Sequence, residues 1–219
     1  MKKNLLWMLA AILACGIMTT SCEKTETESN SGQGEVVPVL KKPVSIEVTY
    51  EASATQTTLD NYARVGTKTL VRYVDADGKV KKEEFTGNFK KDVTIPSTSK
   101  GVDAALQVLI VPKTRDELVA LGEDVDVTTT MKFSYIIYFD NNTSEKDEFT
   151  TEKPTGGCSP YNTIYTGATD KRNTYDKYVN NFGGFIPAMA CISYVVTGEG
   201  SSYVTNSSAG FWHENRYEE

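Results

Sequence analysis

The sequence has few of the residues from which enzyme and metal sites are built. His213 is the single histidine in 219 residues, so a metal site with several histidine ligands cannot form. None of the four cysteines lies in a CxxC pair, which argues against a metal cluster. Phosphate-binding loops and nucleophile elbows are also missing. We therefore expect no catalytic residues, no metal and no cofactor, and a protein that is not an enzyme.

The chain also lacks a cluster of basic residues. It has 23 lysines and arginines against 29 aspartates and glutamates, a formal net charge of −6. This acidic balance argues against phosphate-rich partners, and we expect no nucleic-acid binding. Hydrophobic residues make up 39% of the chain and aromatic residues 10%. That is too much apolar surface for a disordered protein, so a real core is expected.

The N-terminal apolar run, Leu5 to Met18, is too short to span a membrane. A spanning helix needs roughly 20 residues, and here polar residues follow at once. The run is preceded by Lys2 and Lys3. A positive start, a short apolar stretch and small polar residues are the pattern of a cleaved export signal.

The segment Thr19-Thr20-Ser21-Cys22 resembles the end of bacterial lipoprotein signals. In that family a small residue precedes a cysteine that is acylated and becomes the new N-terminus. The resemblance implies removal of residues 1–21 and lipidation of Cys22. Thr19 departs from the aliphatic residue that is usual there. Ile12-Leu13-Ala14-Cys15 fits that position better, but cleavage there would leave apolar residues behind it; a plain secretory signal is the other alternative.

Residues 22–42 are expected to be an acidic, flexible tether. The Ser/Thr-rich acidic run 23–29 resembles the segment that marks surface-displayed lipoproteins in some Gram-negative bacteria. This implies an outer-membrane protein, lipid-anchored on the cell surface, with the periplasmic face as the alternative. Several acyl chains hold a protein on a membrane effectively permanently, so the membrane is the first expected partner.

Residues 43–140 have the alternation of β-strands. Val44, Ile46, Val48 and Tyr50 are expected on one buried face. The stretches 67–74 and 79–85 flank Asp75-Ala76-Asp77-Gly78 and predict a hairpin whose charged second arm lies at a sheet edge. Further predictions in this part are a short strand 92–95, a central strand 105–111, a two-turn helix capped by Thr114 and Glu117 and ended by Gly122, and one long strand 125–139.

Residues 141–219 are expected to complete or decorate the same β domain. Asn141 to Asp147 predicts a turn or exposed loop, residues 170–182 a short helix, and Ala188 to Val196 a strand that pairs with 201–205. Strands that dominate, short helices and frequent turns indicate a mainly β fold, an antiparallel β-sandwich of immunoglobulin-like or fibronectin-like type. A small β-barrel is the alternative.

Two cysteines are expected to keep thiol chemistry in the mature chain, because Cys15 is removed with the signal and Cys22 is acylated. In an exported protein, Cys158 and Cys191 predict one disulfide, worth roughly 3 to 4 kcal/mol on the chain-entropy argument. The alternative is two buried thiols.

Aromatic residues are concentrated in the C-terminal third. Exposed tyrosines and tryptophans offer flat surfaces for sugar rings or protein partners; packing in the core is the alternative. The candidate ligand-binding residues are Tyr161, Tyr165, Tyr175, Tyr178, Tyr203 and Trp212.

The sequence therefore favours a non-catalytic, lipid-anchored envelope protein that binds a glycan or a protein. The first alternative is a structural subunit that assembles by strand addition. The second is a hydrolase that uses Asp124 and Asp126 as an acid/base pair, although carboxylates are common on solvated strand faces.

Overall fold

The computed structural model describes residues 41–151, 158–160, 163–164, 166, 174–197 and 200–204. Twelve strands and three helices lie in these ranges. The strands are β1 (Pro43–Ser53), β2 (Gly66–Val74), β3 (Val80–Glu84), β4 (Asn88–Pro96), β5 (Gly101–Pro112), β6 (Val125–Asp126), β7 (Thr130–Phe139), β8 (Ser144–Thr150), β9 (Cys158–Pro160), β10 (Thr163–Ile164), β11 (Phe185–Thr197) and β12 (Gly200–Val204). The helices are α1 (Gln56–Val65), α2 (Arg115–Val119) and α3 (Thr174–Phe182).

The strands form two main antiparallel sheets. Sheet A has the order β4-β1-β7-β8, and sheet B has the order β12-β11-β5-β2-β3, with β9 also paired to β11. A small third sheet joins β6 to β10. Neither main sheet closes on itself within the described ranges, so the fold is an open sandwich and not a closed barrel. The prediction of a mainly β, antiparallel sandwich is confirmed; its finer immunoglobulin-like or fibronectin-like type stays a prediction.

Aromatic side chains from both sheets meet in the core. The ring centroid of Tyr50 on β1 lies 5.6 Å from that of Phe133 in the same sheet and 5.9 Å from that of Tyr73 in sheet B. The Tyr50 hydroxyl donates to the Val74 carbonyl at 3.0 Å, so this buried polar group is satisfied. Tilted aromatic pairs of this kind add to the free energy of burial.

β1 follows its predicted alternation except at its first residues. Ile46, Val48 and Tyr50 are buried as expected, but Val44 is 53% exposed. The β1–β7 register shifts between Pro43 and Ser45, so Val44 falls in an irregularity of the ladder and leaves the inner face. The expectation for Val44 is therefore wrong.

β5 is central, as its apolar run predicts, because both of its faces are covered. Its inner face contributes Leu106, Val108 and Ile110 to the core between the sheets. On the outer face, Leu109 packs in a second cluster against which Tyr178 and Phe182 of α3 lie. A strand buried on both sides reads as a continuous hydrophobic run.

The single strand predicted over residues 125–139 is divided. β6 ends at Asp126 and pairs with β10, while β7 begins only at Thr130. Helix α1, which the sequence analysis did not predict, is hydrogen-bonded to the segment between β6 and β7. Asn61 Nδ2 donates to the Asp126 carbonyl at 2.8 Å, and the Tyr62 hydroxyl is hydrogen-bonded to Thr129. The alternating buried residues still face inward through the break.

The predicted loop 141–147 is also wrong in its second half. The turn is short, with Asn142 at φ 61°, and β8 begins at Ser144 and pairs with β7 along its length. β8 is an edge strand whose residues 144–148 are all exposed. Charged side chains on both faces of an edge strand conceal it in the sequence.

Other predicted elements are confirmed. The β2–β3 hairpin forms with β3 at the edge of sheet B, and α2 begins with the expected capping box between Thr114 and Glu117. α3 lies within the helix predicted over 170–182. β11 pairs with β12 as proposed and, on its other side, with β5, so a strand of the C-terminal third lies inside a sheet built from earlier residues.

Candidate functional site: the open face of sheet A

The outer faces of the two sheets differ. On sheet B, α3 covers Leu109, Ile186 and Met189. On sheet A, the outward side chains stay exposed or half-buried on all four strands, so no described element covers them. We call this surface the open face. It consists of the outward residues Lys90, Asp92, Thr94, Glu47, Thr49, Glu51, Lys132, Ser134, Ile136, Tyr138, Lys146 and Glu148.

The open face is hollow at its centre. A depression of about 720 Å³ lies over all four strands of sheet A. Thr49 of β1 and Ser134 of β7 are direct neighbours in the register, and both line the depression. Their side chains are short, whereas those of Asp92 and Glu148 on either side are longer. The hollow therefore follows from side-chain size on an otherwise regular sheet.

Four polar residues cross the hollow in register. Thr49 pairs with Asp92 of β4 and with Ser134, and Ser134 pairs with Glu148 of β8. We call this set, Asp92-Thr49-Ser134-Glu148, the polar row. The Thr49 hydroxyl donates to Asp92 Oδ1 at 2.6 Å, and the Ser134 hydroxyl donates to Glu148 Oε2 at 3.2 Å. The two hydroxyls thereby orient the carboxylates at the two ends of the row.

Lysines neutralise much of the negative charge beside the row. Lys132 Nζ lies 2.8 Å from Glu148 Oε2, and Lys90 Nζ lies 2.6 Å from Glu51 Oε1. Its hydrogen bond with Lys132 holds the pKa of Glu148 below its usual value. The partner carboxylates raise the pKa values of Lys132 and Lys90. These pairs are exposed, so they contribute little to stability.

An apolar strip runs beside the row on β7. Ile136 is half-buried and Tyr138 is 37% exposed. The Tyr138 hydroxyl donates to Glu47 Oε2 at 3.0 Å, and this bond raises the tyrosine pKa. The open face therefore combines hydroxyl donors, carboxylate acceptors and a small apolar surface.

Two of the predicted binding tyrosines pack against the protein itself. Tyr175 makes an edge-to-face contact with Phe185 at 6.0 Å, and its hydroxyl donates to the Lys113 carbonyl at 3.4 Å. Tyr178 lies 5.9 Å from Phe182 by ring centroids. Both are half-buried on α3, and neither lies among the residues of the open face.

The other predicted residues are only partly placed. The backbone of Tyr203 lies in β12, opposite Tyr194. Tyr161, Tyr165, Trp212 and the lipidation residue Cys22 lie outside the described residues. A binding role for the tyrosines and Trp212, and the lipidation of Cys22, stay predictions.

The cysteines of the predicted disulfide lie on neighbouring strands. Cys191 is buried in β11. The backbone of Cys158 lies in β9, where the register places it opposite Ala190, the residue before Cys191. The disulfide between Cys158 and Cys191 stays a prediction.

Asp124 and Asp126 both accept hydrogen bonds from the segment around β10. Asp124 Oδ1 accepts from the Thr166 amide at 3.1 Å, and Asp126 Oδ1 accepts from the Thr163 hydroxyl at 2.9 Å. Each carboxylate therefore has a bond that holds the chain near β6. These hydrogen bonds give a structural role to both aspartates that the hydrolase hypothesis uses as an acid/base pair.

The aspartates of the β2–β3 hairpin shape its turn. The Gly78 amide donates to the Asp75 carbonyl at 2.8 Å, and the Lys79 amide donates to Asp77 Oδ1 at 3.0 Å. Gly78 has φ +73°, a conformation that glycine adopts without steric cost. Within the described ranges, no group of three or more histidine, cysteine, aspartate or glutamate residues could hold a metal ion.

The sequence analysis did not predict the polar row, although the outward orientation of its two hydroxyl residues could be read from the sequence. Period-2 alternation places Thr49 and Ser134 opposite the buried residues of their strands. Which residues of β4 and β8 lie beside them depends on the strand register, and a single sequence does not give it.

No family model matches the chain, no curated protein matches it, and no solved structure matches it.

None of the described helices has both the length and the apolar character needed to cross a membrane.

Proposed function

We propose that the protein is a non-catalytic lipoprotein of the bacterial outer membrane that binds an extracellular ligand, a glycan or a protein, on the open face of sheet A. The observation that carries this proposal is the difference between the two outer faces. The outer face of sheet B is covered by α3 over β5 and β11, whereas no described element covers sheet A, which presents a hollow of about 720 Å³ lined by oriented polar groups. Ligand sites are concave and contain a few placed polar groups.

The position of the tether supports display away from the membrane. The first strand begins at Pro43, so about 20 residues separate it from Cys22. A flexible chain of that length spans roughly 25 Å. The sandwich is then held near the membrane by the acylated cysteine without being embedded in it.

The anchor is tested by mass spectrometry and membrane fractionation of the full-length protein, produced in a Gram-negative bacterium. We expect a mature N-terminus at Cys22 that carries acyl chains, and a Cys22→Ala variant that is no longer acylated. Cys15→Ala is the matched control and should be processed normally. An unmodified Cys22 in the wild-type protein would contradict the anchor.

The binding face is tested by filling the hollow. Wild type, Ser134→Arg and the control Thr67→Arg, which changes an exposed residue of sheet B, are screened on a glycan array and in pull-downs of envelope proteins. We expect at least one ligand whose capture Ser134→Arg abolishes and Thr67→Arg preserves. If the two variants behave alike with every ligand, the open face is not the binding site.

Strand addition, the first alternative, is disfavoured at three of the four edge strands of the two main sheets. β3, β4 and β8 each carry several lysines or acidic residues, whereas the fourth edge strand, β12, carries no charged residue. Charged edge strands discourage pairing with other chains. A chain that stays monomeric at high concentration in sedimentation experiments would remove this alternative.

A further inference from the structure

We infer that the ligand of the open face is a carbohydrate that lies across the strands along the polar row. This inference rests on the proposed function, because it names the class of ligand for the same face. It is carried by the chemistry of the row: two hydroxyls at the centre and two carboxylates at the ends, in register on four strands.

The carboxylates have acceptor capacity left for a ligand. Thr49 uses Oδ1 of Asp92, and both Ser134 and Lys132 use Oε2 of Glu148. No described residue donates to the second oxygen of either carboxylate. These two oxygens, together with the two hydroxyls, can accept hydrogen bonds from the hydroxyl groups of a sugar.

The spacing of the row suits a ligand with repeated hydroxyl groups. Neighbouring strands lie about 4.8 Å apart, so polar groups recur at this interval across sheet A. An oligosaccharide presents hydroxyls at comparable intervals along its length. A peptide that crossed the strands would have to satisfy its own backbone groups on side chains alone.

The apolar strip supplies the second contact that a sugar ring needs. Ile136 and Tyr138 lie two residues apart on β7, on the same face as Ser134. The C–H groups of a pyranose ring can pack on such a surface, as they do on aromatic rings. Polar atoms in a row beside an apolar strip match the two-sided surface of a sugar.

The charge on the open face argues against a strongly charged ligand. Its four carboxylates, Glu47, Glu51, Asp92 and Glu148, are opposed by the three lysines Lys90, Lys132 and Lys146. Two of these lysines form ion pairs with carboxylates of the same face. With nearly balanced charge, binding should depend on hydrogen bonds and change little with salt.

The test uses the full-length protein with its anchor, in a detergent that has no sugar headgroup. Glycan arrays are probed with wild type, with the double variant Thr49→Val/Ser134→Ala, and with the control Thr67→Val on sheet B. The double variant removes both central hydroxyls with little change in volume. We expect it to weaken glycan binding roughly tenfold or more, as the loss of two hydrogen bonds implies, while the control binds like wild type.

Thermal unfolding of all variants is measured in parallel, so that a loss of folding is not mistaken for a loss of binding. Glycan binding that is weakened only by the double variant, and that is insensitive to salt, supports the inference. If the protein instead binds lysine-rich peptides, and this binding is weakened by salt and by Ser134→Arg, the ligand is not a carbohydrate and the inference is overturned. The open face would then still be a binding site. Glycan binding that the double variant leaves unchanged places the sugar elsewhere and overturns the inference.

Discussion

Tyr62 ties helix α1 to the chain beneath it through one hydroxyl group. The side chain is 2% exposed and its hydroxyl is hydrogen-bonded to Thr129, which is 1% exposed. Tyr62→Phe leaves the Thr129 hydroxyl without this partner, so we expect a loss of about 1 to 3 kcal/mol in the free energy of unfolding. Urea denaturation measures it. Tyr138→Phe, which removes an exposed hydroxyl, is the control and should change little.

The same residue predicts a pH dependence. Burial raises the pKa of Tyr62 from 10.0 to about 12. The neutral form is favoured in the folded state, so this contribution is complete below pH 10 and is lost as the pH rises through 12. Stability should therefore fall between these values, and Tyr62→Phe should make the fall shallower. An equally steep fall in the variant would show that other groups cause it.

Alanine substitutions at Gly101 and Gly122 distinguish the cost of a steric collision from the cost of backbone strain alone. Both have positive φ, +114° and +71°. A Cβ at Gly101 would lie 1.9 Å from the Tyr194 carbonyl oxygen on β11, whereas one at Gly122 would meet nothing within 4 Å. We expect Gly122→Ala to cost about 1 kcal/mol and Gly101→Ala clearly more. Chemical denaturation compares them, and similar losses would contradict the close approach of β5 and β11.

Much of the inward-facing side of the fold could be predicted residue by residue. Alternation identified Ile46, Val48 and Tyr50 because a half-buried strand has period two. Val44 escaped the pattern because a register irregularity shifts it. The outward-facing polar row could not be predicted, because its members are neighbours only through the pairing of strands far apart in sequence.

At the scale of elements, α1 depends on its first cap. The Thr55 hydroxyl accepts a hydrogen bond from the Thr58 amide at 3.2 Å. Thr55→Ala should destabilise the protein by about 1 kcal/mol. Thr57→Ala changes an exposed position inside the same helix, where alanine is the better helix former, so it should have no effect or stabilise slightly. Thermal or urea unfolding of the two variants, with equal losses, would contradict the cap.

Two elements were missed for a common reason. α1 buries only Thr58, Tyr62 and Val65, and the exposed part of β8 is almost entirely charged. Each offers few apolar residues to a search for periodicity, because each covers the fold at its margin. β5 and β11 were easy to find because apolar side chains fill both of their faces.

At the scale of the whole molecule, sheet B cannot be completed by residues 43–140 alone. β11 lies between β12 and β5, and its inner face adds Ala188, Ala190, Ile192 and Tyr194 to the core. A chain that ends at Asp140 would leave one edge of β5 unpaired and would also lose β8, one of the two neighbours of β7. We expect it to show no cooperative unfolding transition by circular dichroism, whereas the full chain shows one. A cooperative transition in the short chain would contradict a shared core.

The late position of β11 also has a consequence for biogenesis. Its pairing with β5 joins residues about 80 positions apart, and such non-local pairing forms slowly. The core stays incomplete until β11 has been made. For a chain that is exported, as we propose, this order of strands would keep the nascent chain loose enough to thread through a translocation channel and would postpone folding until after export.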